Sequence, residues 1–75
     1  MEGARIHEVW PTVAGAAVAA SVTPVRLAGG VLVLAAADAA WATQVRYLER
    51  SIVARANELL GPGAVRQVTV TLAGL

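Results

Sequence analysis

Val25-Arg-Leu-Ala-Gly-Gly-Val-Leu-Val-Leu-Ala35 decides the fold. Two β-prone runs flank the Gly29-Gly30 pair, and glycine supplies the positive φ angles that a tight hairpin turn demands. The stretch predicts two antiparallel strands. Alternation sets Val25, Leu27, Leu32 and Leu34 on one face and Arg26, Val31, Val33 and Ala35 on the other.

Downstream, Asp38 is suited to cap a helix, its carboxylate accepting from orphan amides at the positive end of the dipole. Trp41, Val45, Leu48, Ile52, Ala56 and Leu59 recur at helical spacing, which predicts one helix running to about Leu60. Gly61-Pro62-Gly63 ends it. A last strand is expected from Val65 to Leu72, with Val68, Val70 and Leu72 inward and Gln67, Thr69 and Thr71 outward. Trp41, Leu48 and Ile52 are expected to pack on Leu32, Leu34, Val68 and Val70.

Upstream, Ile6, Val9, Trp10, Val13, Ala17 and Val18 lie close to helical spacing, predicting a helix over about Ala4 to Ala20. Either the helix starts near Pro11 or it kinks there. Pro24 ends it, because the residue before a proline avoids the α region. The expected order is α-β-β-α-β: an α+β domain with a three-stranded sheet and both helices on one face. The second hairpin strand, the long helix and the last strand form a β-α-β unit, whose strands run parallel across a right-handed crossover.

The 75 residues make one domain, 1–75. Much of the apolar content is alanine, so the core is thin, and Trp10, Trp41 and Tyr47 are among the few large side chains available to it. With no Cys there is neither a disulfide framework nor a thiolate metal site. The uncharged run from Val9 to Val25 is alanine-rich, is interrupted by Pro11 and Pro24, and falls short of the ~20 strongly apolar residues of a membrane span. A secretory signal is disfavoured, because Glu2 and Glu8 occupy the place of a basic leader segment. A cytoplasmic protein with no membrane contact is expected.

Six arginines face five acids, a net charge of +1. Phosphate neutralisation supplies most nucleic-acid affinity, so any such binding is expected to be weak. No catalytic, cofactor-binding or metal-ligating set is expected: the chain has one His, one Asp, two Ser and no Cys, and no nucleophile elbow or phosphate loop. Glu49 and Glu58, nine helical positions apart, stand ~13 Å from each other and read as surface charges. Glu49 lies within reach of the neighbouring arginines. Gly29-Gly30 opens no helix, so it lacks the anion-binding mechanism of a helix N-terminus.

Three features are left for recognition. Trp10, beside Pro11, is either a core anchor or an exposed partner contact. Arg46 and Arg50, one helical turn apart, form the densest basic spot, which Arg5, Arg26, Arg55 or Arg66 could extend. It is either a solvated face or a phosphate contact. The outer sheet face sets Val31, Val33 and Ala35 beside Thr69 and Thr71, with Arg26 at its edge, and neither helix covers it. Such a patch is either tolerated exposure or a protein interface.

Trp10-Pro-Thr-Val-Ala-Gly15, Thr23-Pro-Val-Arg-Leu-Ala-Gly-Gly-Val-Leu-Val33, Ala40-Trp-Ala-Thr-Gln-Val-Arg-Tyr-Leu48 and Ala56-Asn-Glu-Leu-Leu-Gly61 follow one another in an order that resembles the DciA family domain over nearly the whole chain. The resemblance implies a KH-like fold and a cytoplasmic role in loading or operating the bacterial replicative DNA helicase, as a non-enzymatic adaptor with some affinity for single-stranded DNA. The chain lacks the Gly-x-x-Gly loop by which KH domains clamp a nucleic-acid backbone. Two other readings stand beside it: a KH-like RNA- or DNA-binding protein outside replication, and a homodimerising interaction module.

Overall fold

A computed structural model describes residues 2–73. Its order is α1 (Glu2–Ala14), α2 (Ala16–Ser21), β1 (Val22–Ala28), β2 (Val31–Ala36), α3 (Ala39–Tyr47), α4 (Glu49–Leu60) and β3 (Gln67–Leu72). The sheet order is β1-β2-β3, with β1 antiparallel and β3 parallel to the central β2. This is the expected α+β domain, with each expected helix divided in two.

The first division falls at Gly15 and not at Pro11. Pro11 sits inside α1, where its ring is exposed and its carbonyl accepts from the Gly15 amide at 2.9 Å. Gly15 has φ +88°, a conformation that costs glycine little and other residues much, and it turns the chain from α1 into α2. The second division falls at Leu48, whose φ and ψ of −93° and 3° leave the α region between α3 and α4. Asp38 caps α3 as expected, accepting from the Trp41 amide at 2.9 Å.

β1 begins three residues before the expected Val25, with Pro24 inside it. The hairpin register slips between Pro24 and Arg26, a β-bulge that leaves Val25 unpaired. Val25, expected inward, is therefore 52% exposed, and Val22 takes its place in the core. Beyond the bulge the alternation holds: Leu32, Leu34 and Ala36 are buried on the inner face.

Ile6, Trp10, Val13, Val18, Val22, Leu32, Leu34, Val45, Ile52, Ala56, Leu60 and Val65 form one core between the sheet and the helices. α1 lies against β1 and α4, and α3 against β2 and β3. Three expectations about this core need correction. Leu60 is buried where Leu59 was expected, because the buried positions of α4 follow one another at four-residue spacing, Ile52, Ala56, Leu60. Trp41, Leu48, Ile52, Val68 and Val70 meet the core as expected, but Leu72, expected inward, is 36% exposed. Tyr47 is 83% exposed and contributes nothing to the core.

Val65 is buried although it precedes β3 by two residues. The Asn57 side chain holds it like a strand partner: Nδ2 donates to the Val65 carbonyl at 3.0 Å and Oδ1 accepts from its amide at 2.7 Å. At the hairpin turn the Arg66 guanidinium donates to the Gly29 carbonyl at 2.8 Å, and the Arg66 amide donates to the Gly30 carbonyl at 2.7 Å. A Cβ on Gly30 would meet Arg66 Nε at 2.5 Å. The second glycine is thus needed for its φ of +80°, while the end of the Arg66 side chain would have to shift to admit a Cβ there.

Candidate interaction surfaces

The outer face of the sheet is assembled by the strand register. Arg26, Val33 and Thr69 lie side by side across the strands, flanked by the rows Thr23-Ala35-Thr71 and Ala28-Val31-Gln67. Five of the residues singled out from the sequence, Arg26, Val31, Val33, Thr69 and Thr71, are thereby brought onto one face. The central column, Val31, Val33 and Ala35, is half-buried by its neighbours, while the flanking positions are exposed. The result is a shallow apolar strip with a margin of threonines, Gln67 and one arginine. The Thr71 hydroxyl donates to the Leu34 carbonyl at 3.2 Å, fixing that side chain to the central strand.

Trp10 is not on this surface. It is 3% exposed in the core, and its Nε1 donates to the Val22 carbonyl at 2.7 Å, tying α1 to the start of β1. The exposed-anchor reading of Trp10 is therefore withdrawn. An indole needs a partner for its N–H when buried, and the first residue of β1 supplies one.

The second surface is the corner between α3 and α4. Arg46 and Arg50 are exposed on either side of the break, with the exposed Tyr47 between them in sequence. Arg46 also walls two adjoining depressions along β3. One is shared with Val45, Glu49, Val68, Thr69 and Val70, the other with Ala39, Ala42, Thr43, Val70, Thr71 and Leu72. The Glu49 carboxylate is turned onto the Val68 amide at 3.2 Å, so it serves β3 where a pairing with the neighbouring arginines was open. Of the other arginines, Arg5 is exposed on α1, Arg26 is on the outer sheet face, Arg55 borders Thr12 and Glu58 between α1 and α4, and Arg66 is committed to the hairpin turn.

Sequence reasoning missed Tyr47 as a surface residue and Asn57 as a clamp. The signal for Tyr47 was available, since it falls outside the stripe Trp41, Val45, Leu48, Ile52. Among the described residues, no three His, Cys, Asp or Glu side chains are grouped to hold a metal ion. None of their helices is long and apolar enough to cross a membrane.

The chain is thus a small α+β domain whose accessible features are an open sheet face and an arginine-tyrosine corner. It belongs to the DciA family: the family model described as "Dna[CI] antecedent, DciA" matches residues 1–70. It is 44% identical over 63 residues to a UPF0232 protein of Streptomyces coelicolor, covering 81% of this chain and 33% of that one. A UPF0232 protein of Mycobacterium marinum is 37% identical over 62 residues, covering 83% of this chain and 33% of its own. One of Mycobacterium leprae is 33% identical over 67 residues, covering 89% and 35%. The chain spans about a third of the length of the curated relatives it matches.

Proposed function

We propose that this domain is a non-enzymatic adaptor acting on the replicative DNA helicase in the cytoplasm, docking through its outer sheet face and touching single-stranded DNA weakly through Arg46 and Arg50. Family membership supports the helicase as partner. The observation that carries the docking surface is the alignment of the half-buried Val31, Val33 and Ala35 between exposed, mostly polar flanks on one face of the sheet. Burial of that column against a partner is driven by apolar area, with the threonines forming a polar rim and Arg26 fixing orientation. Three strands about 4.8 Å apart and six residues deep make a face on the order of 10 by 17 Å. That is small beside the ~800 Å² per partner of a standard interface, so the sheet face anchors a contact that also uses neighbouring surface.

The test is Val31→Asp with Val33→Asp. Both side chains point away from the core, so circular dichroism should report a native fold while retention of the purified helicase is lost. A folded double variant that retains the helicase as the wild type does would show that the interface lies elsewhere. A KH-like nucleic-acid-binding role outside replication rests on the arginine corner, and salt-dependent retention on single-stranded DNA without any helicase binding would favour it.

A further inference from the structure

We infer that Tyr47 is a base-stacking platform, and that the α3–α4 corner binds single-stranded nucleic acid with one base on the Tyr47 ring and phosphates on Arg46 and Arg50. This rests on the reading above that the corner touches DNA, and adds to it an aromatic contact. Tyr47 is the most exposed large apolar side chain among the described residues, at 83%. Its surroundings decide what it is for. The residues three and four positions away are Thr43, Gln44, Arg50 and Ser51, all exposed and all polar. Thr43 and Gln44 are its neighbours one turn back on α3, and Arg50 and Ser51 open α4 beyond the break at Leu48. A protein hot spot places its aromatic side chain within a packed apolar centre, and none of these four residues supplies one. A ring standing alone among polar groups and guanidiniums is instead what sequence-tolerant single-strand recognition uses: an aromatic face for a base and cations that follow the backbone.

The spacing fits. Arg46 directly precedes Tyr47 on α3, and Arg50 stands exposed in the first turn of α4, just across the break at Leu48. Arg46 continues the surface into the depressions beside Val70 and Thr71 along β3, a path for the next stretch of strand. Glu49, the nearest carboxylate in sequence, is half-buried and turned onto the Val68 amide.

The two kinds of contact separate by their salt dependence. Phosphate contacts release counterions and set the slope of log K against log salt, whereas stacking is non-ionic. A fluorescein-labelled oligothymidylate, titrated with the chain at several low salt concentrations and read by anisotropy, measures both. Tyr47→Ala should weaken binding about tenfold at every salt concentration with an unchanged slope, and Tyr47→Phe should bind as the wild type. Arg46→Ala with Arg50→Ala should flatten the slope. An oligonucleotide carrying 2-aminopurine should lose fluorescence on binding the wild type and the double arginine variant, and keep it with Tyr47→Ala. If Tyr47→Ala binds as the wild type while the arginine variant is weakened, the stacking platform is wrong and the DNA reading stands. If the wild type binds no oligonucleotide even at low salt, both fall. If Tyr47→Ala keeps DNA but loses the helicase, the ring is a protein anchor and the inference is overturned.

Discussion

Trp10 and Trp41 carry the same side chain into different surroundings, and the difference sets what each replacement should cost. Trp10 is enclosed by the core with its N–H satisfied by Val22. Trp10→Ala should destabilise by about 3 to 5 kcal/mol, as large aromatic truncations in cores do. Trp41 is half-buried at the mouth of a shallow groove with Ala17, Val18, Ala40 and Gln44, so Trp41→Ala should cost clearly less. Urea denaturation of both variants, followed by circular dichroism, checks the ranking; equal midpoints would contradict it. Asn57 makes a sharper case, because its amide satisfies both polar groups of the buried Val65. Asn57→Ala strands a donor and an acceptor, each worth about 1 to 3 kcal/mol when left unsatisfied in the interior. Asn57→Asp keeps the acceptor but loses the donor, and should fall between the two in the same denaturation experiment.

The division of each helix was only half legible. Gly15 stood in the sequence as a helix breaker, yet Pro11 drew the expected kink because an interior proline removes a hydrogen bond. At the surface, in a helix that ends one turn later, that loss is tolerated. Leu48 gave no warning at all, since it continues the apolar stripe on both sides of the break. The bulge at Val25 was equally hidden: Pro24 signalled the end of a helix, and nothing local told that the strand had begun before it. At the turn, Gly30 and Arg66 are coupled by close approach. Gly30→Ala should destabilise the domain, and its cost should shrink in an Arg66→Ala background, where the clash is gone but the φ penalty remains. A double-mutant cycle measured by thermal unfolding gives that coupling, and strict additivity would rule it out.

At the scale of the molecule, the stretches that carry the family resemblance are architectural where the structure accounts for them. Trp10 and Gly15 join α1 to the sheet and to α2, Gly29 and Gly30 turn the hairpin, and Asn57 and Gly61 close α4 onto the loop before β3. The joining roles of Trp10, Gly15 and Asn57 were not readable from sequence, whereas Gly29, Gly30 and Gly61 were, because backbone geometry restricts residue choice there. The candidate surfaces were less so. The outer face followed from alternation, while the corner arginines were found without the ring between them. With a net charge of +1 and no clamp loop, the domain should bind single-stranded DNA no better than ~10 μM near physiological salt, within the non-specific range. Sub-micromolar binding by anisotropy at that salt would contradict this.

The Glu49 carboxylate on the Val68 amide has a consequence for crowded conditions. A three-stranded sheet exposes two open borders, and unpaired strand borders invite pairing with other copies of the same chain and, at the extreme, fibre growth. Along β3, Glu49 occupies one of the donors such pairing would need and sets a carboxylate in the way. Along β1, Pro24 offers no donor and the bulge at Val25 spoils the register. A thin-cored domain that bares an apolar sheet face should thereby resist zipping to its neighbours edge to edge. Glu49→Ala should leave the monomer folded but raise light scattering on prolonged concentration, and an unchanged scattering trace would show that the β3 border needs no such guard.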